Sequence, residues 1–112
     1  MNYGEWLDEA EFQSRILGSK EPKIAVFEAK WCGFCRRFNE LLKNFLPTNP
    51  PDAQLDVIDT DSGDGSLWEK FQIDIVPTII VFKEGREIFR RNGVSMRGLN
   101  QGDLEAAIES TK

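Results

Sequence analysis

Cys32 and Cys35 are the only cysteines of a 112-residue chain that contains no histidine. Two sulfurs three residues apart on the first turn of a helix stand one above the other. That is within the Cα separation of about 4.4–6.8 Å at which a disulfide closes. The same pair could supply half of a four-ligand zinc site, but no second cysteine pair and no histidine completes one within a single chain. Reversible disulfide exchange is therefore the chemistry the pair favours, and no metal is expected. The lack of histidine also removes Ser-His-Asp and Cys-His catalysis and any His-liganded haem.

At a helix start, unpaired backbone N–H groups and the positive end of the helix dipole favour a thiolate over a thiol. Lys30, Arg36 and Arg37 add positive charge nearby. Cys32 is thus expected to be the attacking sulfur, and Cys35, one turn inward and less exposed, the sulfur that resolves a mixed disulfide.

The elements needed to position this pair can be read on both sides of it. After a short extended start, Asp8 and Glu11 can cap a helix whose apolar face is Phe12, Ile16 and Leu17, ended by Gly18. Lys23–Glu28 reads as a strand buried on both faces, leading directly into the cysteines. Phe38, Leu41, Leu42 and Phe45 then give a helix with one face on a sheet, ending before Pro47. Gln54–Asp59 reads as a further buried strand, and Leu67 with Phe71 as a short helix. Thr78–Phe82 and Arg86–Arg91 form a hairpin about Glu84-Gly85. Leu104, Ala107 and Ile108 mark a last helix. The order βαβαβαββα implies an α/β chain, residues 1–112 as one domain, with a mixed central β-sheet flanked by helices on both faces.

With Phe27, Ala29, Trp31-Cys32-Gly33, Cys35, Asp61, Val76-Pro77-Thr78, the hairpin Phe82-Lys83-Glu84-Gly85 and Gly93 in place, the sequence resembles the thioredoxin family from about Leu7 to Ile108. The resemblance implies the thioredoxin fold and a cis Val76-Pro77 bond facing the dithiol. It also implies a flat apolar patch of Trp31, Gly33, Phe34, Val76, Pro77 and Gly93 that receives a substrate protein. It implies catalysis by Cys32 and Cys35 with no bound cofactor. Electrons would come from a thioredoxin reductase drawing on NADPH, or from another donor.

Departures from the family pattern bear on mechanism. Gly33-Phe34 lies between the cysteines where proline is usual, and Glu40 replaces a helix-kinking proline, which predicts a straighter helix. The family's buried aspartate, six residues before the first cysteine, is Val26 here, and its lysine partner on the third strand is Val57. Glu28 lies two residues beyond Val26 on the same face of the strand and nearer the cysteines. It is the candidate proton acceptor for Cys35, directly or through water. The alternative is a partly solvated glutamate paired with Lys30 or Arg36, contributing little.

Composition narrows the partners. Lys and Arg total 14 against 19 Asp and Glu, a net charge of -5, and the basic runs are only Arg36-Arg37 and Arg90-Arg91. Nucleic acid is not an expected partner. The longest apolar runs, Ile24–Phe27 and Ile79–Phe82, are far too short to cross a membrane. No export signal is visible at the N-terminus, which reads as a cytoplasmic chain, and a monomer is expected. Asp59–Gly65 has the wrong frame for a calcium loop and reads as a solvated acidic turn. Trp68 and Phe71 read as core, and Trp6 carries no assigned role.

The leading function is protein-disulfide reduction through a mixed disulfide. The alternative is an interaction module that keeps the fold and uses the same patch while its cysteines seldom cycle.

Overall fold

The strand at Lys23–Glu28 (β2) is the centre of a five-stranded sheet in the computed structural model, which describes residues 6–112. Residues 1–5, part of the segment read for an export signal, lie outside the described residues. The strands run in the order β1-β3-β2-β4-β5, with β1 Trp6–Leu7, β3 Gln54–Asp59, β4 Thr78–Lys83 and β5 Arg86–Arg91. β1, β3 and β2 are parallel, while β4 runs antiparallel to β2 and β5 to β4.

Because side chains alternate across a strand, β2 feeds two cores. Ala25 and Phe27 face α1 (Glu9–Phe12) and α3 (Leu67–Lys70). Ile24 and Val26 face α2 (Gly33–Phe45) and α4 (Gln101–Ser110), against Phe38, Leu42, Leu104 and Ala107. This is the mixed sheet with helices on both faces that the hydrophobic pattern predicts.

Asp8 and Glu11 form the expected reciprocal cap, with N–H to carboxylate distances of 2.8 and 3.1 Å. The helix they start does not stay regular to Gly18. Beyond Phe12 it widens into a π-helical turn, Gln13–Leu17, closed by the Gly18 N–H donating to the Gln13 carbonyl at 3.0 Å. Phe12 is held edge-on by Phe27, Phe71 and Phe82, with ring centroids 5.3–5.5 Å away, and the wider turn keeps Ile16 on the face that Phe12 anchors. The sequence pattern carries the apolar face but not this extra residue per turn.

α2 runs unbroken through Glu40 and stops at Leu46, before Pro47, as expected. No helix among the described residues is long and apolar enough to cross a membrane.

Candidate active site

The chain leaves β2 at Glu28, turns with the Cys32 N–H on the Ala29 carbonyl (3.1 Å), and enters α2 at Gly33. Cys32 is the helix N-cap. Its backbone is extended and its Sγ accepts the N–H of Cys35 at 3.2 Å, as a serine or aspartate oxygen does at other helix starts. The two thiols are free, and Cys35 is the more buried, at 1% exposure against 7%.

Opposite them, the Cys32 thiol lies 3.5 Å from the Val76 carbonyl oxygen, and the Val76-Pro77 bond is cis. Thr78 fastens this turn by donating to the Ile75 carbonyl (2.7 Å) and accepting the Gly93 N–H (3.3 Å). Gly93 is there because a Cβ would overlap the Pro77 carbonyl oxygen. Gly93→Ala is accordingly expected to lower stability by about 1–3 kcal/mol, read by urea denaturation, because the backbone itself must move.

Beneath the dithiol, Glu28 is fully buried and neither carboxylate oxygen has a hydrogen-bond partner among the described residues. The solvated, ion-paired alternative for this residue is overturned. The ammonium of Lys30 lies over the Trp6 ring, 5.8 Å from its centroid, which gives Trp6 a role and draws Lys30 into that contact. Burial pushes the Glu28 carboxyl from 4.5 up to about 8, offset slightly by the Asn39 amide. Burial also pushes the Cys35 thiol far up, aided by its hydrogen bond to Cys32 and by the charge of Glu28. Val26 and Val57 are register partners on β2 and β3, both fully buried, so Glu28 is the carboxylate this core retains.

Asn39 was not anticipated, although its place is visible in the sequence. It stands one turn after Cys35, within the buried stripe Cys35, Phe38, Leu42, and is the polar member of that stripe. Its Oδ1 is also buried without a partner among the described residues.

The surface beside Cys32 is a recess of about 450 Å³, where a flat patch was expected. Trp31, Gly33, Phe34 and Val76 line it as anticipated, joined by Trp68, Asp74 and Ile75 and by residues 94–96. Pro77 and Gly93 are absent from its lining and act from behind as the turn that holds Val76. Gly98, at φ 73°, lets the 94–98 turn close against the Phe34 ring.

Trp68 is not a plain core residue. It is half-buried and stacks on Trp31, ring centroids 6.3 Å apart and planes 5° from parallel. Asp61 accepts both indole N–H groups, Trp31 at 2.8 Å and Trp68 at 2.9 Å. Asp61→Ala is expected to release both rings, abolishing their coupled near-ultraviolet circular dichroism and costing about 1–2 kcal/mol of stability. The other carboxylates of this acidic turn serve local backbone: Asp59 accepts the Asp61 N–H and Asp64 the Ser66 N–H.

A cysteine pair at a helix start, set against a cis-proline turn on a mixed sheet, defines the thiol–disulfide oxidoreductase class built on the thioredoxin fold. Comparison with known proteins agrees. The thioredoxin family model matches residues 5–109, and the chain belongs to the thioredoxin family. It is 32% identical to the Thioredoxin-like protein slr0233 of Synechocystis sp. over 85 residues, 76% of this chain and 80% of that one. It is 29% identical to a thioredoxin of Mycobacterium tuberculosis over 82 residues, 73% of this chain and 70% of the relative. The crystal structure of Fasciola hepatica thioredoxin superposes with a TM-score of 0.75 at 23% identity, covering 96% of this chain and 99% of the other, a likeness of fold.

Proposed function

We propose that this chain is a protein-disulfide reductase whose dithiol is Cys32 and Cys35. The observation that carries the reading is Cys32 Sγ at the N-cap of α2, bonded by the Cys35 N–H and facing the Val76 carbonyl at the rim of an open recess.

In this mechanism the Cys32 thiolate attacks one sulfur of a substrate disulfide. A mixed disulfide forms and the first substrate thiolate leaves. Cys35 then gives its proton to the Glu28 carboxylate and attacks Cys32 Sγ, which breaks the mixed disulfide and releases the second substrate thiolate. Two electrons pass to the substrate, and the protein is left with a Cys32–Cys35 disulfide. With a carboxyl titrating near 8, the ionised fraction of Glu28, a minority at pH 7 that grows as pH rises to 8, takes this proton and returns it when the disulfide is reduced again, so resolution should quicken across that range.

Trp31, Gly33, Phe34 and Val76 hold the substrate segment, the Val76 backbone offering hydrogen bonds to an extended chain, with Pro77 and Gly93 fixing that turn. The chain acts as a monomer in a reducing compartment, the cytoplasm. A thioredoxin reductase or another dithiol donor regenerates it.

The test is insulin reduction in the presence of dithiothreitol. The reading predicts precipitation well ahead of dithiothreitol alone; precipitation at the same time as the control would overturn it.

A further inference from the structure

Asp74 lines the recess beside Cys32 together with the stacked Trp31 and Trp68 rings, and it makes no ion pair or side-chain hydrogen bond among the described residues. Asp61, at the foot of the same pair, has both oxygens occupied by indole N–H groups. Arg90, a cation placed against this segment, spends its guanidinium on the Gln72 and Phe71 carbonyls and on the Glu87 carboxylate. The wall towards Trp68 therefore presents aromatic surface and an uncompensated, exposed carboxylate in the place where a substrate segment must lie to bring its disulfide to Cys32 Sγ. Apolar surface takes the stem of a long side chain, aromatic faces attract a cation, and a carboxylate receives its charged end.

We infer that the Trp31–Trp68–Asp74 wall is a specificity site for a lysine or arginine flanking the attacked cysteine of a disulfide-bearing protein segment. The inference rests on the reductase reading, since the segment is the substrate of that reaction. Asp74 and Trp68 are specificity-determining residues, and the net charge of -5 steers the same basic substrates to the surface.

The experiment measures the rate at which the Cys35→Ser protein forms a mixed disulfide with two peptide disulfides differing only in lysine or glutamine beside the cysteine. Low and high salt are compared. The lysine peptide should react about fivefold or more faster at low salt, a preference that salt reduces. Asp74→Asn and Trp68→Ala should each bring the ratio of the two rates towards one. Glu21→Gln, the same charge change at the other end of β2, should leave the ratio as it is. Equal rates in the unaltered recess, or a lysine preference that survives Asp74→Asn, would overturn the inference. The reductase reading is checked separately with uncharged 2-hydroxyethyl disulfide: if Cys32 does not react with it either, that reading fails and the specificity site with it.

Discussion

Replacing Cys32 by serine is expected to reduce insulin precipitation to the rate of dithiothreitol alone. Serine keeps the N-cap geometry, because its Oγ can accept the Cys35 N–H that Sγ accepts at 3.2 Å. The fold should therefore survive while the nucleophile is gone. Cys35→Ser should behave differently: Cys32 still attacks, but the resolving sulfur is missing. Well-oriented groups in one molecule act at effective concentrations of roughly 10⁵ M, so losing Cys35 lengthens the life of the mixed disulfide by orders of magnitude. Intact-mass spectrometry should find the Cys35→Ser protein joined to substrate and the Cys32→Ser protein free. Partners that stay bound to Cys32→Ser, with no disulfide formed by either variant, would favour the interaction-module reading.

The second large effect is on Glu28. Its carboxyl titrates near 8 in the folded chain and near 4.5 in the unfolded one. Between those values the folded protein keeps a proton that the unfolded chain has released, so stability is highest below 4.5 and falls as pH rises to 8. The gap corresponds to about 5 kcal/mol when complete. Glu28→Gln removes this dependence. Its own buried amide carries a desolvation cost, so the slopes of stability against pH are compared rather than single values. The unaltered protein should lose stability from pH 5 to 8 relative to the variant; parallel urea-denaturation curves would contradict the burial of this carboxylate. In stopped-flow kinetics the resolution step should slow by about tenfold to a hundredfold in Glu28→Gln at pH 7 and lose its inflection near pH 8. An unchanged step and profile would remove Glu28 from the mechanism.

How far the sequence could be read depended on the range of the interactions involved. Strand and helix positions follow from local periodicity, and Lys23–Glu28, Gln54–Asp59 and the cap at Asp8 lie where the pattern predicts. The cysteine pair at a helix start is also local, and its N-cap geometry matches the expectation. What pattern could not supply was contact between distant segments. Burial of Glu28 depends on α2 closing over the end of β2, and Asn39 meets it only in the fold. The indole of Trp68 turned from assumed core to the recess because Asp61, seven residues earlier, takes its N–H while also holding Trp31. A widened turn after Phe12 likewise reflects a cluster of rings drawn from four separate elements or their flanks.

Whether this chain is a reductase turns on the midpoint potential of the Cys32–Cys35 couple. A thiol that burial makes hard to ionise, as Cys35 is, holds its electrons less firmly as a dithiol and gives them up to a substrate disulfide. Equilibration against dithiothreitol buffers at pH 7 should give a value below about -250 mV, in the range of reducing dithiols. A midpoint at or above about -200 mV, where oxidases and isomerases operate, would contradict the assignment of this chain as a reductase.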